Sequence, residues 1–378
     1  MSAVRLLAVV RKEFLQFIRD RATLRLVLIL PLMMMFIFGY VVSTDVKSVP
    51  AAAALQDTGL PARELYERFQ QTGFFDFTRY VHSAEEVGRL IQAGKVKTGV
   101  VIPSDYSERI SRGETAQVQV LIDGSDPLVS RTALNTVEML GQISGSSVLA
   151  QRLQRLSGGG KSVELPVDVR ARVWYNPNMD SVKFNLPGLV GVILQNVTIA
   201  LIAHAMVRER EQGTMEQLIV TPVRAPELII GKMAPYVVIS VIDATLVVAL
   251  GILLFKMEIA GSILVLSLNA FIFLLSSLGI GLLISTVAQN QVQSNQLSQM
   301  FLLPSILLSG YIFPREAMPP ALQVVGLGLP LTYFLQVLRG VILKGVGMAD
   351  LWEHTLIMTV YAVLILALAV WRLRKKLD

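Results

Sequence analysis

The stretch that decides the fold runs from Ile259 to Pro314 and reads IAGSILVLSLNAFIFLLSSLGIGLLISTVAQNQVQSNQLSQMFLLPSILLSGYIFP. It contains no charged side chain over 56 residues. A helix needs about 20 mainly apolar residues to cross the hydrocarbon core of a bilayer, so this length suits two crossings. The run QNQVQSNQ at residues 289–296 is rich in amides, which are costly in lipid. We therefore expect it to form a turn at the water boundary between the two crossings.

The composition of the 378-residue chain agrees with a membrane protein. Hydrophobic residues make up 53% and charged residues 16%, whereas a soluble domain carries about 25% charged residues. The mean hydropathy is +0.57. These values exclude an ordinary soluble enzyme and a disordered protein. The chain has no Cys, which excludes a disulfide scaffold and a Cys-ligated metal centre, and its three His residues are far apart in the sequence.

Six membrane-spanning helices are predicted in all. The first covers residues 26–44, and the other five lie within residues 185–378. A further uncharged stretch, Ala317–Leu338, contains three prolines, and proline interrupts the hydrogen bonding of a helix. Irregular backbone at membrane depth must be covered by protein or line a cavity. We therefore expect residues 314–345 to form two short re-entrant helices that enter the membrane from outside and return.

Positive charges flank both ends of this set of helices. Residues 1–25 carry six basic and two acidic residues, and the tail from Arg372 carries four basic residues and one acidic residue. By the positive-inside rule both termini are cytoplasmic, which requires an even number of spans. Residues 1–25 also place apolar side chains at helical spacing opposite basic ones. This pattern predicts an amphipathic helix on the membrane surface.

Residues 45–184, between the first two predicted spans, differ from the rest of the chain. They hold 16 basic and 16 acidic residues, so this part is highly charged without net charge. Alternating apolar residues predict five strands, with helical patterns near 84–92, 104–112 and 127–156 between them. This order indicates a small α/β domain inserted in the helical protein, and the cytoplasmic N-terminus places it on the extracytoplasmic side. The predicted strands lie near Ala51–Leu55, Phe75–Val81, Thr98–Ile102, Val118–Ile122 and Val167–Trp174.

The segment after the second predicted span, residues 208–224, begins REREQGTMEQL. Thr214 is suited to cap a short helix with Glu216 in its first turn, and Pro222 would end that helix. A short amphipathic helix between two spans suits insertion into a groove of another protein. A solvated loop at the lipid headgroups is the alternative, and the residues alone do not decide between the two.

This motif resembles the coupling segment of permeases of the type-two ATP-binding-cassette exporters, in the subgroup with a large outward domain between spans one and two. The stretches SGYIFPREAMPP at residues 309–320 and PLTYFLQVLRG at residues 330–340 share the resemblance, which covers essentially the whole chain. It implies that residues 208–224 form a cytoplasmic coupling helix, residues 1–25 the elbow helix and residues 314–345 the outward re-entrant segment. It also implies contact with an ATPase at five matching positions, which are Glu209, Glu211, Gly213, Thr214 and Glu216.

The same resemblance implies the partners. Two copies of a cytoplasmic ATP-binding-cassette ATPase would dock beneath two permeases, identical or homologous. The ATPase would hold ATP and Mg, whereas this chain would hold no cofactor and catalyse nothing. The expected assembly lies in the bacterial inner membrane, in contact with lipid, and exports drugs, lipids or other amphiphiles. A periplasmic adaptor stays open as a further partner, and no nucleic acid is expected.

Asp243 lies near the middle of the third predicted span. A carboxylate in lipid is costly, so Asp243 is a candidate for a transport path, either binding a cation or carrying a proton. A protonated or hydrogen-bonded structural residue is the alternative. The rival function is therefore a proton- or sodium-coupled secondary transporter using Asp243, although such proteins favour several intramembrane charges and inverted repeats. A sensor or scaffold whose outer domain binds a ligand is the third possible function.

Overall fold

The computed structural model describes residues 3–40, 48–156, 174–176, 180–213 and 225–377. The chain divides into two structural units, one formed by Met1–Thr44 with Arg172–Asp378 and the other by Asp45–Ala171. In chain order the elements are α1 (Ala3–Arg19), α2 (Arg21–Tyr40), β1 (Val49–Leu55), α3 (Leu60–Gln71), β2 (Phe75–Val81), α4 (Ala84–Gln92), β3 (Thr98–Ile102), α5 (Tyr106–Arg112), β4 (Gln119–Ile122), α6 (Pro127–Leu156), α7 (Ser181–Glu211), α8 (Ala225–Phe255), α9 (Ile263–Val287), α10 (Gln291–Leu308), a 3₁₀ turn (Arg315–Ala317), α11 (Pro320–Leu327), α12 (Pro330–Arg339), a π-helical turn (Gly340–Lys344) and α13 (Met348–Leu377).

Four helices of the first unit are long and apolar enough to cross a membrane, namely α7, α8, α9 and α13. The helices α11 and α12, the latter continued by the π-helical turn, meet at a bend of 86° and add a fifth span if they are counted as one. The apolar part of α2, Val27–Gly39, is shorter than these. Within its described residues, the chain is therefore a helical membrane protein with four or five such helices. The count of six spans stays a prediction.

The long uncharged stretch forms two helices as predicted, but the break between them covers only residues 288–290, and the predicted turn is wrong for residues 291–296, which are helical. α9 ends at Val287 and α10 begins at Gln291. Asn290 caps α10, because its side-chain oxygen accepts a hydrogen bond from the backbone nitrogen of Gln293 at 2.8 Å. The amides that follow Asn290 therefore belong to the first turns of a helix.

α7 is the central helix of the first unit and packs against α2, α8, α9, α10 and α12. It lies very close to α9 at Gly281. A Cβ atom at this position would lie 2.3 Å from Cγ2 of Ile202 and 2.7 Å from the carbonyl oxygen of Ile199. Phe273 of α9 stacks on Phe334 of α12 with ring centroids 4.1 Å apart. The bent pair is thus attached to the same core as α7.

In its described residues, the second unit is built on a four-stranded sheet in the order β2-β1-β3-β4. β1 pairs in parallel with β2 and β3, and β4 pairs antiparallel with β3. Successive residues of a strand face opposite sides. Ala51 therefore joins a core with α3, α5 and α6, whereas Ala52 joins a smaller core with α4. Four of the five predicted strands are present, and the fifth lies outside the described residues except for Trp174, which is not in a strand.

Candidate coupling site

The last turn of α7 carries four consecutive charged residues, Arg208, Glu209, Arg210 and Glu211. Consecutive residues of an α-helix are about 100° apart around its axis, so these side chains leave α7 in different directions. Each of them contacts a different part of the helical unit. The end of α7 is therefore fixed from several sides at once.

Glu209 joins three helices. Its side chain is buried, and the residue is 3% exposed. Lys12 of α1 donates a hydrogen bond from Nζ to Oε1 of Glu209 at 2.6 Å, and Lys232 of α8 forms an ion pair with Oε2. Lys232 is itself buried, and Lys12 also contacts Glu13 at 2.9 Å. Buried charges are tolerated where they are paired, so this cluster links α1, α7 and α8.

The two arginines contact neighbouring helix ends. Arg208 forms an ion pair with Asp20, which lies between α1 and α2. Arg210 donates hydrogen bonds from Nη1 to the carbonyl oxygens of Ser285 at 3.1 Å and Ala288 at 2.6 Å. These carbonyls belong to the C-terminal end of α9, where a cation also interacts favourably with the helix dipole.

Glu211 contacts the start of α10. Its carboxylate accepts hydrogen bonds from the backbone nitrogen of Gln291 at 2.9 Å and from the side-chain nitrogen of the same residue at 2.7 Å. An acidic group is favourable at a helix N-terminus, because the first backbone N–H groups have no partner within the helix. Gly213 then ends α7 with a φ of +67°, in the left-handed region that glycine adopts without strain.

The predicted contact residues differ in their exposure. Glu211 and Gly213 are exposed, and Glu209 is buried. Thr214 and Glu216 lie outside the described residues, as does the rest of the predicted coupling helix up to residue 224. All five therefore remain predictions as ATPase contacts. Because the carboxylate of Glu209 is paired with two lysines, its position suits a role in holding α1, α7 and α8 together.

Sequence reasoning missed the internal partners of this motif, namely Lys12, Asp20, Lys232 and Gln291. One signal was available, because Lys232 is a cation directly before an apolar stretch and a buried cation needs an anionic partner. The sequence does not show which acid that partner is. Lys12 and Glu209 are 197 positions apart in the chain.

Asp243 lies on α8, within one of the four long apolar helices. It is 1% exposed, and neither carboxylate oxygen has a hydrogen-bond partner among the described residues. Nearby on the same helix, Ser240 makes a hydrogen bond of 3.2 Å with Thr198 of α7. Within the described ranges, no three His, Asp or Glu side chains are grouped so that they could hold a metal ion.

α10 exposes three amides, together with the apolar Val292 and Met300, in and just after its first half. Asn295, Gln296 and Gln299 are exposed, whereas Ser294 and Ser298 on the other side are buried. Further along, Ser305 donates a hydrogen bond to the side-chain oxygen of Gln195 of α7 at 2.9 Å. The buried side of α10 is thus fixed to α7, while its amide-rich side is exposed among the residues that the structure describes.

A sequence model of the ABC-2 family transporter proteins matches residues 21–371. The chain belongs to this family. The "Probable multidrug ABC transporter permease YbhS" of Escherichia coli (strain K12) is 32% identical over 380 residues, covering 100% of this chain and 99% of the relative. YbhR of the same strain, with the same description, is 30% identical over 350 residues and 92% of each chain. The "Inner membrane transport permease YhhJ" is 26% identical over 370 residues, or 96% and 95% of the two chains.

The family that the motifs indicated is thus confirmed. The ABC-2 match spans α2 and all the long apolar helices of the first unit, and the relatives are permeases that this chain matches over nearly their whole length. The chain is therefore the permease component of an ABC-2 type transporter. That its α/β unit lies outside the cytoplasm remains a prediction.

Proposed function

We propose that this permease exports drug-like or lipid-like amphiphiles across the bacterial inner membrane, driven by ATP that a separate ATPase hydrolyses. The observation that carries the proposal is the attachment of residues 208–211 to other helices of the unit. Glu209 contacts α1 and α8, Arg210 contacts α9, and Glu211 contacts α10. A force applied just after α7 would therefore reach all of these helices.

The coupling step follows from this attachment. Two ATPase subunits would close on ATP and displace the segment that follows Gly213. Since α7 is the central helix, the displacement would shift the helices as rigid bodies. Its free energy comes from the different affinity of the two conformations for ATP. This chain would hold neither ATP nor Mg, and both termini would lie in the cytoplasm with the ATPase.

The exposed amides of α10 support a path between two permeases. Unpaired amides are costly in hydrocarbon, so Asn295, Gln296 and Gln299 need either water or protein beside them. A second permease, identical or homologous, would cover these amides with protein. It would also enclose water in a polar path between the two copies. Asp243 is buried within a single chain. A place on the path therefore requires a helix movement that exposes it.

The test is ATP-dependent efflux by the purified assembly. The full chain is co-expressed with its candidate ATPase, purified and reconstituted, and export of a lipophilic fluorescent dye is followed. We expect the ATPase to co-purify and efflux to stop when ATP is depleted while the proton gradient is maintained. Efflux that continues without ATP would contradict the proposal.

Glu211→Lys tests the coupling site itself. Reversing this charge places a cation at the N-terminus of α10, which is unfavourable, and removes both hydrogen bonds to Gln291. We expect normal membrane insertion and loss of ATP-driven efflux. Glu316→Lys is the matched control, because Glu316 is likewise an exposed acid but lies in a different element, the 3₁₀ turn. Full efflux in the Glu211 variant would count against the proposal.

A second candidate function is proton- or sodium-coupled secondary transport. One observation favours it, since Asp243 is a buried carboxyl group whose oxygens have no hydrogen-bond partner among the described residues. Under this alternative, efflux follows the ion gradient after ATP is depleted, and Asp243→Asn abolishes it. The same vesicles therefore distinguish the two functions.

A further inference from the structure

Arg339 is the last residue of α12, and its guanidinium contacts two further elements of the helical unit. Nη1 donates a hydrogen bond to the carbonyl oxygen of Gly310 at 3.2 Å, and Nη2 lies 3.5 Å from that of Tyr311. Both carbonyls belong to the segment that follows α10. The same guanidinium lies over the ring of Phe184 of α7, with Cζ 4.2 Å from the ring centroid. Arg339 thus joins α12 to the end of α10 and to α7.

The chemistry of arginine suits this place. A planar guanidinium can donate hydrogen bonds in its plane while an aromatic ring covers its face, whereas the compact ammonium of lysine offers no plane to stack. A cation at membrane depth is costly without such partners. The half-buried side chain of Arg339 has them within the protein, so its charge serves a contact between elements.

Two glycines of α7 bring the same elements close to this helix. A Cβ atom at Gly188 would lie 2.4 Å from Cδ2 of Tyr311, and one at Gly191 would lie 3.0 Å from Cδ1 of Leu331 of α12. These glycines follow Phe184 by about one and two helical turns. The first turns of α7, the segment after α10 and α12 are therefore packed together, and Arg339 contacts all of them.

α11 is in turn held against α12 across their bend of 86°. Thr332 of α12 donates a hydrogen bond to the carbonyl oxygen of Gly326 at 2.6 Å, and Tyr333 donates one to that of Leu327 at 2.8 Å. These carbonyls belong to the last turn of α11, where a helix leaves its carbonyls without internal partners. The bent pair can therefore move as one piece.

These contacts lie at the opposite end of α7 from the candidate coupling site. A rise of 1.5 Å per residue places Phe184 roughly 36 Å from Arg208 along the helix axis. At the coupling end, Arg210 contacts the last carbonyls of α9, and at the far end Arg339 contacts the carbonyls that follow α10. Each end of α7 is thus connected through an arginine to the end of a neighbouring helix.

We propose that Arg339 is a positioning residue for export, which makes the bent pair of α11 and α12 move together with the far end of α7. A displacement of α7 by the ATPase then reaches the bent pair as a rigid-body shift. The inference goes beyond the proposed function and rests on it for the source of the movement. The attachment itself needs neither ATP nor the ATPase.

Paired spin labels test the attachment without a transport measurement. Lys183→Cys in α7 and Gln336→Cys in α12 are both exposed positions, and the chain has no Cys of its own. Labelled chains are diluted with cysteine-free chains in the assembled complex, and the separation of the labels is read by electron paramagnetic resonance. We expect one narrow distance distribution with and without ATP, and a distribution at least twice as wide with Arg339→Gln. An unchanged width would overturn the proposal.

Efflux per ATP hydrolysed separates positioning from a role in stability alone. We expect Arg339→Gln, and separately Phe184→Leu, to lower this ratio at least fivefold in complexes that still hydrolyse ATP. Phe184→Tyr keeps the aromatic face and should retain the ratio. Arg315→Gln is the matched control, because the hydrogen bond of Arg315 to the carbonyl oxygen of Gln323, at 3.1 Å, stays within the re-entrant segment.

The outcomes distinguish this proposal from the proposed function. A wild-type ratio in both the Arg339 and the Phe184→Leu variants would overturn the positioning role. Should Arg339→Gln fail to fold, the comparison of Phe184→Leu with Phe184→Tyr decides, by both the label distances and the ratio. Efflux that continues without ATP would reject the proposed function, whereas the spin-label result would still decide whether Arg339 holds α12 to α7.

Discussion

At the scale of single residues, the buried charges explain why polar side chains occur in an apolar chain. Charged side chains are almost never fully buried without partners. Glu209 and Lys232 are buried together, and Lys12 reaches the same carboxylate from a more exposed position. The ion pair therefore fixes which face of α8 meets α7. Asp243 is the contrasting case, because its carboxyl group is buried without a hydrogen bond among the described residues.

The first prediction concerns the pair of Glu209 and Lys232. Glu209→Gln leaves the buried Lys232 ammonium without its counter-charge, which costs about 3–5 kcal/mol for such pairs. We expect a clear fall in the melting temperature of the purified chain in detergent. The double variant Glu209→Gln with Lys232→Met removes both charges and should recover most of the loss. A single variant as stable as wild type would show that the pair contributes nothing.

The second prediction concerns Asp243. An ionised carboxylate without a partner in hydrocarbon costs several kcal/mol, so we expect the neutral acid to be the form present in the folded chain. Asp243→Asn keeps the shape of that neutral acid. ATP-driven efflux should therefore be largely retained, because the replacement conserves the shape and volume of the side chain and removes no charge. Abolished efflux with normal insertion would instead identify a proton or cation carrier.

At the scale of elements, the end of α7 connects to the ends of two other helices. Arg210 contacts the last carbonyls of α9, and Glu211 contacts the first amides of α10. Both contacts use the unpaired backbone groups that every helix terminus leaves. The signs of the two charges agree with the helix dipoles. A movement of α7 along its axis would thus act on α9 and α10 together.

The third prediction concerns the close contact of α7 with α9. In Gly281→Ala, the new methyl group would lie 2.7 Å from the carbonyl oxygen of Ile199, a backbone atom that cannot move aside alone. Overpacking of this kind costs about 1–3 kcal/mol, so we expect a lower melting temperature. Gly347→Ala is the control, because its Cβ would meet no atom within 4 Å. Equal stability of the two variants would show that the helices do not depend on this contact.

The fourth prediction concerns the start of α5. Burial opposes the charged form of Asp57, but hydrogen bonds from the backbone nitrogens of Gly59 at 2.7 Å and Ser107 at 2.6 Å outweigh it and lower the pKa of this carboxyl. A lowered folded pKa contributes stability above the unfolded value of about 3.9, and this stability is lost as the pH falls through the folded pKa.

Hydrogen exchange measures this effect. After correction for intrinsic rates, we expect the amide of Ser107 to lose protection as the pH falls below about 4. In Asp57→Asn the acid cannot titrate, so protection should be lower at neutral pH and nearly independent of pH. Protection that stays constant in the wild-type chain down to pH 2 would show that the carboxylate does not hold α5.

At the scale of the whole molecule, local patterns predict the elements well and their partners poorly. Apolar length predicted α7, α8, α9 and α13, and alternation predicted the four described strands. α3 was missed, although Pro61 in its first turn and buried Ala62, Leu65 and Phe69 at helical spacing are typical of a helix start.

Contacts between distant residues could not be predicted. Nothing local in the sequence shows that Glu209 pairs with Lys12 and Lys232, because pairing depends on how the helices pack. The predicted turn over residues 289–296 was too long for a related reason. Polarity was taken as a helix break, whereas the Asn290 cap and the carboxylate of Glu211 make the same amides a favourable helix start.

The central claim is that an ATPase moves this permease by contacting the chain directly after α7. The chain has no Cys, so Gln212→Cys gives one reactive thiol at an exposed position beside Gly213. Thiol crosslinking is then measured in the assembled complex, with Gly88→Cys in α4 as the control. The account predicts a crosslink from residue 212 to the ATPase whose yield changes when ATP binds, and none from residue 88. A complex that hydrolyses ATP and transports, yet gives no crosslink from residue 212, would contradict it.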